Sequence, residues 1–431
     1  MGGGQGRDPF GVRAFFLACA LLCAAGAAPS AQRAQRAADS GSLFVEPRTP
    51  QELRRRLEAE AVPELFRMLV EGTAPGAAGG EPLRLGDEER ALVREALAAR
   101  ARRELVPFLE ELSVSTPALP ARLAALDLLG RVGSADHLEL LVRLCVGEER
   151  RALEPELRTS FGAGLGAILA RDGAGLGRVR NLLSKSPPAL AGAIVDALAG
   201  VPGDEATRQL AALLGRTPGL DPLILARLGE RSGGHAAEDS VREAVRHYLA
   251  HQDADLVCAA ARTSGELRDD GAVEALIGLM EHEQTRVRGA AFAALERISG
   301  LAYGSDAARW TQWYHAEMRW WDEESESLLV RIERGHGVEF ARAARLALEH
   351  RLFRDRIAEA FAQALGRRSV EEVELACRAL EQLRSRAGVR GLVECLERSE
   401  PGVRSAAWKA LRAITGAELP PEADSWSSLA G

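Results

Sequence analysis

Residues 254–310 align with residues 370–426 without a gap, at a constant offset of 116, and 18 of the 57 pairs are identical. Val257, Ala260, Leu267, Val273 and Leu276 recur as Val373, Ala376, Leu383, Val389 and Leu392. The strings Val287-Arg288-x-Ala290-Ala291 and Leu295-x-x-Ile298-x-Gly300 recur as Val403-Arg404-x-Ala406-Ala407 and Leu411-x-x-Ile414-x-Gly416, and Trp310 recurs as Trp426. Most shared positions are apolar and lie at helical intervals, so the copied thing is a packing unit. Self-similarity at a fixed period marks repeat architecture, in which each unit buries its apolar face on the next. That constrains the fold closely and the function hardly at all.

A shorter period runs inside this one. An apolar anchor at the end of one helix is followed 6, 9, 12 and 13 residues later by an apolar stripe: Val132 by Leu138, Leu141, Leu144 and Cys145; Ala170 by Leu176, Val179, Leu182 and Leu183; Leu267 by Val273, Leu276, Leu279 and Met280; Leu383 by Val389, Leu392, Cys395 and Leu396. Val201 follows the same rule with Thr207 in the first slot, then Leu210, Leu213 and Leu214. Such spacing makes one apolar face of a helix. The polar turns between anchor and stripe, Gly133-Ser134-Ala135 for one, are short enough to require antiparallel helix pairs. Ala, Leu and Arg dominate and aromatics are only 5%, which favours helix, and no stretch reads as a β-hairpin.

The Val-Arg-x-x-Ala-Ala-x-x-x-Leu strings at 287–295 and 403–411, with the turn and x-Ala-Val-x-x-Leu at 271–276, resemble the HEAT-repeat family, including the HEAT-like units of exported bacterial proteins. The resemblance covers 118–300 and 370–417, and implies an all-α solenoid of HEAT-like helical hairpins. The expected layout is a signal peptide at 1–31, a flexible lead at 32–50, and an N-terminal helical cap at 51–117 made of helices 51–71 and 87–112 around a Gly/Ala/Pro linker at 72–83. A repeat array follows at 118–300, then a Trp-rich helix at 301–323, an irregular helical segment at 324–369, the second module at 370–417 and a tail at 418–431. Arg288 and Arg404 are read as structural, bonding along the stack between neighbouring repeats.

Arg7 and Arg13 precede an apolar run from Ala14 to Ala28 and small residues at Pro29-Ser30-Ala31. Fifteen apolar residues fall short of the ~20 that span a bilayer as a helix, so the run reads as a cleaved export signal, with membrane anchoring by the N-terminal segment as the alternative. The expected location is periplasmic or secreted, with no transmembrane segment after cleavage. Net charge is -7 with Glu and Arg interspersed, and without a basic stripe nucleic acid is disfavoured as a partner. Cys145, Cys258, Cys377 and Cys395 all fall at apolar helix positions and read as buried small hydrophobes. Cys377 and Cys395 lie on the two helices of one repeat and form the one pairing worth testing.

Few residues carry recognisable chemistry. Trp310, Trp313, Tyr314, Glu317, Trp320 and Trp321 share one helical face. That stripe reads either as an exposed aromatic platform or as a seam: Trp310 and Trp313 are expected to bury against the helix at 285–298, while Trp320 and Trp321 stay open to either role. His247 and His251 are spaced i, i+4 but end a helix without a third ligand. His282-Glu283 is the one His-Glu dyad, whereas the HEAT-built deoxyhypusine hydroxylases use four, so that activity is not expected. Gly162-Ala163-Gly164-Leu165-Gly166 reads as close helix packing and not as a phosphate cradle. No cofactor and no metal are expected. The reading that follows is a non-catalytic scaffold of the bacterial cell envelope that binds a protein or peptide through second-helix residues Glu139, Arg143, Glu274, Arg390 and Glu394, with Trp320 and Trp321 as further candidates. The alternative is an envelope enzyme, lyase-like or metal-dependent, with a site assembled on the array.

Overall fold

The computed structural model describes residues 50–75, 82–115, 117–146, 154–217, 219–232 and 238–429, so the expected signal peptide and flexible lead lie outside the described residues, apart from Pro50. The architecture is an all-α solenoid of helical hairpins, divided into two compact units, Met1–Pro202 and Gly203–Gly431. The division falls inside the array expected over 118–300.

In the first unit the helices are α1 (Pro50–Ala59), α2 (Val62–Glu71), α3 (Asp87–Ala98), α4 (Arg102–Val114), α5 (Leu119–Val132), α6 (Leu138–Val146), α7 (Pro155–Arg171), α8 (Val179–Lys185) and α9 (Pro188–Gly200). Each of the two helices expected in the N-terminal cap is broken in two. Pro63 explains the first break, because proline lacks the amide an interior helical position needs and is tolerated only in a first turn, which here opens α2. Arg100, in the second break, donates to the carbonyls of Leu57, Glu58 and Glu60 at 2.9, 2.9 and 2.6 Å and so satisfies the end of α1. The described ends of the 72–83 linker pair as two-residue antiparallel strands, β1 (Thr73–Ala74) with β2 (Leu83–Arg84), which no alternating pattern in the sequence announced.

Helices α5, α7 and α9 lie side by side as one layer. Gly130 and Gly164 permit this: a Cβ on Gly130 would meet the Gly164 Cα at 2.8 Å. The glycine-rich run at 162–166 therefore serves helix packing, as expected. Arg171 ties the repeats, donating to the carbonyls of Gly130 and Gly133 at 3.0 and 2.6 Å.

The second unit holds α10 (Asp204–Ala211), α11 (Asp221–Ser232), α12 (Asp239–Arg246), α13 (Ala254–Glu266), α14 (Val273–Leu279), α15 (Thr285–Ser299), α16 (Ala307–Arg334), α17 (Gly337–Ala347), α18 (Arg354–Ala364), α19 (Val370–Leu383), α20 (Val389–Leu396), α21 (Pro401–Thr415) and α22 (Ala423–Trp426). The duplicated helices start 116 residues apart, at 254 and 370, 273 and 389, and 285 and 401. Short 3₁₀ turns open the second helix of each copy, at Asp270–Ala272 and Arg386–Gly388, and α15 and α21 begin and end 116 apart. Leu276 and Leu392 are both fully buried. Ser299 and Thr415 each bond the carbonyl four residues back, Leu295 and Leu411, at 2.8 Å, and each then caps the amide two residues on. Arg288 and Arg404 reach back over the turn to the end of the preceding helix, bonding the carbonyls of His282 and Glu283 and of Arg398 and Ser399. Gly300 and Gly416 end their helices at φ 74° and 70°, the left-handed conformation glycine adopts freely.

Two boundaries differ from expectation. The Trp-rich helix α16 begins at Ala307 and runs through position 323 to Arg334, where Gly335 and Gly337 stop it. The remainder of 324–369 is a regular hairpin: α17, a 3₁₀ turn at Arg351–Phe353, and α18. From the anchor Leu348 the stripe runs Arg354, Ile357, Ala360 and Phe361, all buried. A charged residue in the first apolar slot hides this repeat from a hydrophobic pattern.

Candidate functional site

The exposed candidates of the sequence reading are spread over separate hairpins. Glu139 and Arg143 are exposed on α6, and Lys185 of α8 bonds Glu139 at 2.6 Å across the stack. Glu274 is exposed on α14 and accepts a long bond, 3.5 Å, from the Tyr314 hydroxyl of α16. Arg390 and Glu394 face water on α20, 82% and 70% exposed, 3.7 Å apart.

The aromatic stripe divides along α16. Trp310 is fully buried and donates through Nε1 to the Gly304 carbonyl at 2.9 Å, and its duplicate Trp426 donates to Pro420 at 2.7 Å. The ring docks on the loop four residues beyond the helix-ending glycine, with Tyr303 at 4.9 Å and Trp313 edge-on at 5.7 Å. α16 packs on α14 and then on α17 and α18. Trp310 is buried as expected, whereas Trp313, expected to bury with it, is only half-buried. Trp320 and Trp321 are half-buried; Trp320 stacks on His350 at 3.3 Å and Trp321 on Phe353 at 4.2 Å. Beneath them Glu317 and His350 form a mostly buried carboxylate–imidazole pair, Oε1 to Nδ1 3.2 Å, and the second oxygen of Glu317 has no hydrogen-bond partner among the described residues.

A charged cluster that the sequence reading did not find lies inside the second unit. Arg242, on α12 and only 8% exposed, pairs with Asp239 at 2.7 Å, Asp270 at 3.2 Å and Asp355 at 2.9 Å. Burial opposes its charge, but the three carboxylates outweigh that and hold its pKa above the ordinary arginine value. Asp270 goes the other way: burial pushes it up to about 6, the charge of Asp355 adds to this, and Arg354 and Arg242 oppose it. Asp269, 1% exposed, is likewise raised by burial against the pull of Arg246, which sits 3.1 Å away. Arg354 is 5% exposed, donates to the Ile298 carbonyl at 2.8 Å, and is lowered by burial despite Asp270 and Asp355. Arg386 of the 3₁₀ turn before α20 bonds Asp204 at the start of α10. These pairs join α12 to α18 and α10 to the turn before α20 within the second unit. The signal was present in the slot rule: Arg242 precedes Val245, Tyr248 and Leu249 as Val273 precedes Leu276, Leu279 and Met280, so Arg242 and Arg354 occupy the same repeat position.

Other candidates are locally occupied. His251 accepts from the Asp253 amide at 2.9 Å and stacks on Tyr248 at 5.8 Å, and His282 accepts from the Gln284 amide at 3.1 Å. Among the described residues no group of three or more His, Cys, Asp or Glu is placed to hold a metal. All four cysteines there are buried and free; the Cys377 thiol, paired with that of Cys395 and desolvated, is held above its ordinary pKa. No described helix is long and apolar enough to cross a membrane.

No family model matches the chain, and no curated protein matches it. Among solved structures it is similar to an engineered protein (19% identity, 84% of this chain and 98% of that one, TM-score 0.29) and to human deoxyhypusine hydroxylase (16%, 59% and 99%, 0.26). It is also similar to importin beta (13% identity, TM-score 0.34), covering 84% of this chain but about half, 54%, of that one. Similarity of this degree transfers no activity; the HEAT-like fold stands on the hairpins described above.

Proposed function

We propose that the protein is a non-catalytic binding scaffold of the bacterial cell envelope whose partner is a protein or peptide. The observation that supports this is that second-helix charges of both signs, Glu139 and Arg143 in the first unit and Glu274, Arg390 and Glu394 in the second, are all exposed to water. Sign-mixed polar faces on a rigid repeat frame suit recognition of another polypeptide more than chemistry on a small molecule. Export belongs to the same proposal and rests on the Ala14–Ala28 run. The test is affinity capture from envelope fractions with the wild-type chain and with a variant reversing all five charges. A partner retained by the wild type and lost by the variant supports the scaffold; identical captures refute this surface. The mature N-terminus, read by mass spectrometry, is expected between about residues 26 and 33.

The runner-up, an envelope enzyme, is favoured by one observation, the buried Glu317–His350 pair under stacked aromatic rings. Metal analysis of the purified protein separates the two, since stoichiometric iron or zinc favours the enzyme.

A further inference from the structure

Buried apolar residues from Leu328 to Trp426 form one continuous core, which takes in Ile357, Ala358 and Phe361 of α18 and no residue of α12 or of the Asp270 turn. Charge ties α12 to α18 instead. Arg242 of α12 meets Asp355 of α18 at 2.9 Å, across 113 positions of sequence. The same guanidinium holds Asp270 through Nη1 at 3.2 Å and Asp239 through Nη2 at 2.7 Å. Asp239 is 88% exposed, so Asp270 and Asp355 are the carboxylates that share Arg242 mostly out of water. Arg354 of α18 is the second cation, its hydrogen bonds committed to the carbonyls of Arg351 and Ile298. In the same turn as Asp270, Asp269 Oδ2 lies 3.1 Å from the Nε of Arg246, again from α12. Neither of these atoms has a hydrogen-bond partner among the described residues, and nor has the buried Nε of Arg242.

Two carboxylates on one guanidinium repel each other, and burial penalises the charge of each, so both effects favour a proton on one of them. Asp270 is the more buried, with its side chain 16% exposed against 34% for Asp355. Burial above all pushes its pKa up to about 6; Asp355 adds to this, while Arg354 and Arg242 pull against it. Once α12 and α18 part, water reaches the carboxyl and restores its ordinary pKa of about 4. The closed form therefore binds the proton more tightly than the open one, and acid favours closure. Buried polar atoms left without partners leave such a network a narrow margin, which a proton is enough to tip.

We propose that this joint is a proton-operated clasp within the second unit: Asp270 takes one proton from solution as α12 closes onto α18 and releases it as they part, so the face between the two helices opens as the solution turns from mildly acid to neutral.

Hydrogen exchange of the full-length protein follows the clasp directly, read by mass spectrometry from pH 5 to pH 7.5 with labelling times scaled to the intrinsic exchange rate. With pKa values of about 6 closed and about 4 open, the closing equilibrium changes about tenfold over this range. Protection in α12 and α18 should fall by that factor at pH 7.5, while α7 and α9 of the first unit keep theirs. Asp270→Asn, whose amide stands in for the neutral carboxyl, should leave less than about a twofold change. Asp355→Asn leaves Asp270 as the one buried carboxylate on Arg242 and should move the midpoint of the change to more acid pH, which reads the clasp even if the first variant does not fold. Equal protection of α12 and α18 at both ends of the range overturns the proposal. So does an undiminished change in Asp270→Asn, an unmoved midpoint in Asp355→Asn, or an equal loss in α7 and α9.

Discussion

Asp270 keeps its charge against burial only because Arg242 and Arg354 stand beside it, and the balance leaves its pKa at about 6. An aspartate in the unfolded chain stays ionised down to about pH 4. Between pH 7 and pH 5 the folded chain therefore takes up a proton here that the unfolded chain does not. Stability from this group is complete below about pH 4 and is lost as the pH rises through 6. Urea unfolding at pH 5 and pH 7 should show the Asp270→Asn variant with less gain on acidification than the wild type. The same gain in both would mean that Asp270 titrates as an ordinary surface carboxylate. This residue also marks where sequence reading stops. A buried aspartate in a 3₁₀ turn looks like any solvated turn residue, and its partner Arg242 occupies a slot that the apolar pattern reserves for valine or leucine.

The hairpin is the element whose structure the sequence states most fully. Because both copies use one set of apolar and turn residues, the register, the Ser299 and Thr415 bonds and the glycine-ended helices follow from alignment alone. The hairpin at 335–369 was illegible for a single reason, Arg354 in its first slot, which the carbonyls of Ile298 and Arg351 and the carboxylates of Asp270 and Asp355 make tolerable. Full burial of Leu276 and Leu392 at equivalent sites predicts equal penalties, ~2–5 kcal/mol for each alanine substitution. Chemical denaturation that finds less than about 0.5 kcal/mol at either site would place it on the surface. The stripe on α16 was legible as a face, but its division into a buried end and a half-buried end depends on which elements fold back over it. Trp321, stacked on Phe353, should cost about 1–3 kcal/mol as Trp321→Ala, less than the ~3–5 of a fully buried ring. An unchanged stability would free the ring for a partner.

In the chain as a whole, repeats are expected to feel only their neighbours, since each hairpin packs on the one before and the one after. The second unit departs from this through long-range ion pairs, Arg242 with Asp355 and Arg386 with Asp204, separated by 113 and 182 positions. No local pattern encodes such pairs, because they depend on the summed rotation of all intervening hairpins, including the 28-residue α16. If they close the unit, opening one side should loosen the other. Arg242→Met keeps most of the side-chain volume but strands Asp270 and Asp355. Removing one partner from a fully buried pair costs ~3–5 kcal/mol; here Asp355 is 34% exposed, and about 2–3 kcal/mol is expected. Native-state hydrogen exchange reads where that loss falls. In Arg242→Met the amides of α18 should lose protection together with those of α12, while those of α9, in the other unit, keep theirs. Loss confined to α12 and the adjoining α10, α11 and α13 would show that the ion pair decorates an array that remains nearest-neighbour in its energetics.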